Sequence, residues 1–415
     1  MAWQRWIGVG VSVGVICALI SGGRQQREKS PDVGSSLGRL SERREIRAPA
    51  EPDFSGLNLL HVDLRAERVT TPLAQGRTAE LTLDPDLQRS TLAVMKRYAL
   101  PEAGAVLMDT KTGNLLVYAS QVREREPFDV NLRAEAPAAS IFKIVTAASL
   151  LETQSLSAQT EQCYHGGRSR IVAADLLEDP TRDRSCASLA TALGRSLNVV
   201  FARLASRHLS PESLTHTAGA FGFGTPTPFD VLADAPGIDL PGDPLEFARA
   251  AAGFWHTTLS PLAAVSIAQT VAGGGVTVRP RIVRAVVDGS RSEWQASPEP
   301  TVLRRAMPEA SAHELTKMML QTVSNGSASK SFREANGKPY LGDIRVAGKT
   351  GTLSRQEENR HYTWFVGFAP ADAPEVAVAA LVVNTPVWRI KGPQLARDVL
   401  RSYFAKQGHP GVSTP

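Results

Sequence analysis

Ser140 and Lys143 stand three residues apart in the run Ser140-Ile-Phe-Lys-Ile-Val-Thr-Ala-Ala-Ser-Leu-Leu-Glu152, which is otherwise almost wholly apolar. A helix apolar all round belongs in the interior of a domain. Spacing of three on a helix puts two side chains on one face, within reach of each other. A lysine held there away from water gives up its proton more readily than a free one. A neutral amine beside a hydroxyl is a base beside a nucleophile, the minimum for covalent acyl transfer. Read alone, the pair is equally a buried lysine whose head reaches solvent, and Ser-x-x-Lys arises easily by chance. The elements around it must decide.

Two further motifs follow in order, Ser196-x-Asn198 and Lys349-Thr-Gly351, the latter continued by Thr352. In isolation the first reads as a cap between two helices and Lys349 as a surface lysine at a strand end. The chain carries decoys as well. Ser327-Ala-Ser-Lys330 repeats the first pattern and Lys111-Thr-Gly113 the third. Ser327 follows a helix-ending Asn325-Gly326, which puts it in a loop, and Lys111 falls in a hairpin turn ahead of Ser140.

The positioning elements are legible from caps, periods and breakers. Asp84-Pro85-Asp86 opens a helix with an acidic N-cap and a first-turn proline, and Leu87, Thr91, Val94, Met95 and Tyr98 form its inner face. Gly104–Asp109 and Asn114–Ser120, joined across Thr110-Lys-Thr-Gly113, form a hairpin. Ser188–Leu193 and Val199–Ala205 are helical pieces interrupted at Gly194–Asn198. Residues 218–244, rich in Gly and Pro, form a loop. Ser260-Pro261 starts a helix that stops at Gly273-Gly-Gly275, and this triple glycine at a C-terminus is a stop signal, not a phosphate cradle. Ser311-Ala-His-Glu314 reads as a capping box. Trp364–Phe368 and Val376–Val383 are strands beside the Lys349 segment, and a last helix covers Gln394–Phe404.

The chain has 415 residues, 42% hydrophobic and 21% charged, enough for one large or two ordinary domains with a sizeable core. Net charge is +5, with seven of the basic residues between Arg24 and Arg47. No aromatics are interleaved with them, which argues against nucleic acid. Residues 6–23 are apolar with basic flanks, borderline in length for a span. They lack a clean small-x-small cleavage site and read as an uncleaved anchor. Residues 24–76 read as a linker and short pedestal. Cys17 lies inside the anchor. Cys163 and Cys186 are disulfide candidates if the domain is outside the cytoplasm, with free thiols or a metal as the alternatives. A structural zinc site wants four ligands, and no second pair accompanies Cys163-Tyr-His165.

The three ordered motifs resemble the signature of penicillin-binding proteins and serine β-lactamases. The resemblance runs over roughly 77–405 and extends to Thr82–Gln88, Asp109–Asn114, Ile238–Gly242, Leu259–Leu262 and Gly273–Pro280. It implies an α+β fold: a central antiparallel sheet of about five strands flanked by helices, with a mainly helical subdomain carrying Ser-x-Asn. The transpeptidase domain would span 77–407, with 408–415 a flexible tail. It further implies that Ser140 attacks the D-alanyl-D-alanine carbonyl of a peptidoglycan stem peptide, with Lys143 taking its proton. Ser196 and Lys349 would pass a proton to the leaving amine. Asn198 would bind the substrate backbone, and Gly351 would let the substrate strand lie close. Thr350 and Thr352 would hold the terminal carboxylate, and the N–H groups of Ser140 and Thr352 the oxyanion. No cofactor or metal is implied. The expected partners are stem peptides, β-lactam antibiotics, the cytoplasmic membrane through the N-terminal segment, and other wall-synthesis proteins. The domain would then be extracytoplasmic. Two departures stand out: Ala138-Ala139 occupies the place of a common Pro-Gly, and only about fifty residues separate anchor from domain. A β-lactamase or D,D-carboxypeptidase is the alternative, and a non-catalytic sensor or scaffold another. Glu246 is followed by Phe-Ala-Arg-Ala, so the Glu-x-x-x-Asn of one β-lactamase class is absent.

Overall fold

A computed structural model describes residues 52–415, except 66, 154, 155, 168 and 169. The apolar run, Cys17 and the basic cluster lie outside the described residues. Among the described residues no helix is long and apolar enough to cross a membrane.

Strands β1 (Glu102–Asp109), β2 (Leu115–Val122), β3 (Ala347–Arg355), β4 (Arg360–Ala369) and β5 (Val376–Asn384) form one antiparallel sheet in the order β3-β4-β5-β1-β2. The five-stranded α+β arrangement expected from the sequence is thus the one observed. In β5 every residue is buried, as a strand covered on both faces requires. Ala377, Ala379, Leu381 and Val383 face one hydrophobic core, and Val378, Ala380 and Val382 the other, following the two-residue period of a strand. Helices α1 (Pro85–Arg97) and α8 (Gly392–Lys406) cover the second core. Asp84 caps α1 by accepting from the N–H groups of Asp86 and Leu87, and Lys406 of α8 binds the same Asp84 carboxylate at 2.7 Å.

The first core is filled by helices α2 (Lys143–Leu151), α3 (Leu189–Arg195), α4 (Asn198–His208), α5 (Pro244–Ala251), α6 (Pro261–Ala272) and α7 (Glu309–Ser324). Helix α6 is buried nearly throughout and is stopped by Gly273, with Gly274 and Gly275 at φ of 63° and 87°. Its Ser260 N-cap accepts from the Ala263 N–H. One sequence expectation fails here. Helix α7 begins at Glu309 behind an extended Pro308, so Ser311 is an internal residue of its first turn and not a capping residue. The proline break two residues upstream overrode the local Ser-x-x-Glu signal.

Residues 52–83 belong to the same compact unit. Strand Thr78–Leu81 lies between Thr70–Pro72 and Val283–Asp288 in a small second sheet. At the other end of the unit, Arg401 donates to the Ser413 and Thr414 carbonyls.

Candidate active site

The turn carrying Ser140 is wedged between two glycines. On one side Gly351 of β3 faces the Ala138–Ile141 turn, and a Cβ there would stand 3.2 Å from Ile141 Cγ1 and 3.3 Å from the Ala138 carbonyl. On the other side Gly253, at φ +80°, lies so close that a Cβ would meet the Ala139 carbonyl at 2.4 Å and Ser140 Cα at 3.0 Å. The turn is fixed from below by Trp364 of β4, whose indole N–H donates to the Pro137 carbonyl at 2.9 Å. Ala138 adopts right-handed helical angles and Ala139 the left-handed region at φ +50°. The alanine that replaces the common glycine therefore sits in the conformation glycine favours. Ser140 follows in a single 3-10 turn, and Lys143 opens α2.

Lys143 is fully buried. Its Nζ lies 2.9 Å from Ser140 Oγ and 2.8 Å from Asn198 Oδ1, and it donates to the Ala252 carbonyl. The Phe201 ring lies under it, with its centroid 5.6 Å from Nζ. Burial, and secondarily the positive charge of Lys349, hold Lys143 well below the ordinary lysine range. Lys349 is also fully buried. Its Nζ lies 2.8 Å from Ser196 Oγ and 2.9 Å from the Thr350 carbonyl. Burial brings its pKa down to about 7.

Ser196 ends α3 in the left-handed region at φ +60°, and Asn198 begins α4. This helix–turn–helix break turns Ser196 toward β3 and Asn198 toward Lys143, so one short motif reaches both lysines. Strand β3 is the edge strand of its sheet, leaving its outer side open to an added strand. Ser140, Lys143, Ser196, Asn198 and Lys349 are thus brought together, with Thr350, Gly351 and Thr352 on the strand alongside. Chemically, the arrangement offers a hydroxyl beside a desolvated amine, and a second hydroxyl beside a second amine.

Ser327, set aside in the sequence as part of a decoy, lies in this cleft wall. Its Oγ is 2.6 Å from Thr350 Oγ1, and its N–H donates to the Gly194 carbonyl at 2.9 Å. Its position follows from Gly326, where a Cβ would meet the Gly194 carbonyl at 2.2 Å. The Asn325-Gly326 helix stop was the available signal, but what the stop packs against is a long-range property. The Lys111-Thr-Gly113 decoy is a hairpin turn, closed by Asp109 accepting from the Lys111 and Thr112 N–H groups.

Cys163 and Cys186 form a disulfide, directly opposed in the ribbon of Glu161–Tyr164 and Ser185–Ser188. They lie away from the lysines but lead to them, because Ser188 at the end of the ribbon caps α3. His165 pairs with Asp183 at 2.5 Å and faces Arg203. No group of His, Cys, Asp and Glu side chains suited to a metal occurs among the described residues.

The family model for the penicillin binding protein transpeptidase domain matches residues 103–401. The peptidoglycan D,D-transpeptidase PbpA of Mycobacterium tuberculosis is 28% identical over 384 residues, covering 81% of this chain and 74% of that protein. Stage V sporulation protein D of Bacillus subtilis is 26% identical over 337 residues, covering 76% of this chain and 51% of the relative. Among solved structures, that of PBPA from M. tuberculosis superposes with a TM-score of 0.65 at 22% identity, covering 80% of this chain and 82% of that one. An imipenem acyl-enzyme complex of the same protein superposes at 0.63 and 23% identity, covering 79% of each chain.

Proposed function

Because the chain belongs to the penicillin binding protein transpeptidase domain family, we propose that it is a D,D-transpeptidase that cross-links peptidoglycan stem peptides and is acylated by β-lactams at Ser140. The observation that carries this is the Ser140–Lys143 contact of 2.9 Å around a fully buried amine held well below the usual lysine range. The relatives' names point the same way, as does the acyl-enzyme chemistry of the M. tuberculosis protein with imipenem.

In this reading the donor peptide adds as a strand to the open edge of β3, its terminal carboxylate near Lys349, Thr350 and Thr352. Neutral Lys143 takes the Ser140 proton as Oγ attacks the carbonyl carbon of the penultimate residue. The N–H groups of Ser140 and Thr352 receive the developing oxyanion. Ser196, hydrogen-bonded to Lys349, delivers a proton to the departing D-alanine amine. Asn198 fixes Lys143 and the substrate amide. The ester on Ser140 then passes to the amine of a second stem peptide. No step calls for a metal or organic cofactor.

We read residues 77–407 as this domain, with the apolar segment 6–23 as a membrane anchor and 24–76 as a tether. The domain then lies outside the cytoplasmic membrane, the compartment in which a disulfide such as Cys163–Cys186 persists. Mass spectrometry of the protein with penicillin, followed over time, tests the assignment. A stable adduct on the Ser140 peptide, absent in Ser140→Ala, is expected, together with cross-linked product from stem peptides. An adduct released many times a second would make the protein a β-lactamase. An adduct without cross-linked product would make it a sensor.

A further inference from the structure

A cavity of about 300 Å³ opens on the side of Ser140 opposite β3. Its walls are Trp255, Phe254 and His256, the Glu246 and Arg249 side chains of α5, and Arg170. Two close approaches fix its position. Gly253, one residue before Phe254, rests on the Ala139–Ser140 backbone. Gly167, three residues before Arg170, rests on Val199, the residue after Asn198, where a Cβ would stand 2.4 Å from Val199 Cβ. The cavity therefore borders the nucleophile turn and the first turn of α4 together. Two residues of extended chain span at most about 7 Å, so Trp255 lies close to Ser140.

The backbone here is held in an unfavourable conformation. Trp255 and His256 have φ of +34° and +61°, positions that cost bulky side chains of order 1–3 kcal/mol each. Yet Trp255 is left 43% exposed, so its burial does not compensate. The strain turns an indole face toward solvent beside the acyl-forming serine. Arg249 is committed, donating to the Ile171 carbonyl through Nε at 2.9 Å and to Glu246 at 2.6 Å. Arg170 is exposed and has no ion pair among the described residues.

We propose that this cavity receives the acceptor in the cross-linking reaction, a peptide bearing both a primary amine and a free carboxylate, with Arg170 holding the carboxylate and Trp255 the amine-bearing side chain. This rests on the acyl-transfer reading. The donor strand occupies the β3 side of the Ser140 ester, so a second peptide must come from the Gly253 side. An indole face suits a methylene chain ending in an ammonium group, and Glu246 supplies a counter-charge within the same walls. In the transfer, the acceptor nitrogen, entering as the free amine, bonds to the ester carbonyl carbon and the bond to Ser140 Oγ breaks. The proton lost by nitrogen passes through Lys143 to Oγ, and the products are an amide and free serine.

The test uses the full chain with a stem pentapeptide as donor and, as acceptor, either a stem tripeptide with a free side-chain amine or hydroxylamine, which needs no pocket. Acylation by penicillin serves as the measure of an intact donor site. Arg170→Ala and Trp255→Ala are expected to raise the tripeptide KM about tenfold, in keeping with loss of a binding anchor, while transfer to hydroxylamine keeps its rate. Trp255→Phe, which keeps a ring, is expected to fall between. Unchanged tripeptide KM in both alanine variants, with penicillin acylation intact, would overturn the acceptor assignment alone. A wild-type protein that penicillin does not acylate would overturn the acyl-transfer reading and the assignment with it.

Discussion

Ser327 Oγ lies 2.6 Å from Thr350 Oγ1, and the Ser327 N–H donates to the Gly194 carbonyl, two residues before Ser196. One serine thus ties the strand that would grip the substrate carboxylate to the helix that carries the proton relay. A hydroxyl pair of this kind leaves one proton pointed at the cleft, where a carboxylate can accept it.

Ser327→Ala is therefore expected to slow acylation by a carboxylate-bearing β-lactam by roughly 2–10-fold, the worth of one hydrogen bond of ~0.5–1.5 kcal/mol. Ser327→Thr restores the rate. The melting temperature stays within a degree or so, because Ser327 is exposed. Stopped-flow acylation rates, compared between a penicillin and its carboxyl ester, decide the point. A rate lost equally for both would mean that Ser327 acts on fold and not on the carboxylate.

The pH profile follows from the two lysines. Acylation needs Lys143 neutral and Lys349 charged. The rate therefore climbs as pH rises through the depressed Lys143 value and declines as Lys349 loses its proton near about 7. The two titrate as a coupled pair, so the limbs belong to both. Lys349→Arg keeps the charge at every accessible pH, and its descending limb should disappear even though its maximum rate is lower. Second-order acylation constants from pH 5 to 9 test this, and an unchanged descending limb would refute the assignment to Lys349.

The same burial costs stability. The unfolded chain keeps the Lys349 proton up to the ordinary lysine pKa of ~10.4, whereas the folded chain loses it near about 7. The penalty is full below the folded value and fades as pH approaches the unfolded one. Lys349→Met should raise unfolding stability at pH 6 by ~1–4 kcal/mol, with the gain shrinking by pH 10, while abolishing acylation. Urea unfolding at the two pH values measures it.

Ala139 makes a complementary case. An L-residue in the left-handed region costs ~1–2 kcal/mol, and glycine there gives back ~0.4–1 kcal/mol through the freedom of its unfolded chain. Ala139→Gly should stabilise the protein by ~0.5–1 kcal/mol, the balance of those two terms. Acylation should change little. A loss of stability would mean that the Ala139 methyl contributes more by packing than its φ costs.

These sites show where sequence reasoning succeeds and where it stops. The hairpin, Asp84-Pro85, Ser260-Pro261 and the glycine stop after Ala272 were legible because each is a local matter of caps and turns. Pairing of Ser140 with Lys143 follows from helical spacing. Ser327 was not legible, since its partners Gly194 and Thr350 are fixed by α7 packing between α3 and β3. Ala138-Ala139 was visible as a departure in residue type, but not the +50° angle that Ala139 adopts. Ser311 failed for a related reason: Ser-x-x-Glu is common inside helices, and only the proline upstream told where the helix begins.

Arg203 offers the most severe test of how the site is held. It is fully buried in α4. It donates to the Asp183 carboxylate at 2.7 Å and to the carbonyls of Cys163, Asp175 and Leu177 at 2.8, 2.6 and 2.7 Å. The hydrogen bond from Arg203 holds the Asp183 carboxyl far below the usual carboxylate range. One guanidinium therefore fastens the disulfide ribbon and the segment 175–183 onto the helix that begins at Asn198. Truncating one partner of a buried pair costs ~3–5 kcal/mol because the other charge is left without a partner. Arg203→Ala is expected to lose stability of that order, more than the ~2–4 kcal/mol expected for removing the disulfide by Cys163→Ala with Cys186→Ala. Because Asn198 and Ser196 hang on the same helix junction, acylation at 25 °C should fall in both variants, further in Arg203→Ala. Asp183→Asn leaves the arginine its carbonyl acceptors and should lie between wild type and Arg203→Ala. Chemical unfolding and penicillin acylation on the four proteins measure the order, and an Arg203→Ala protein as stable as wild type would show that the cluster does not hold the site.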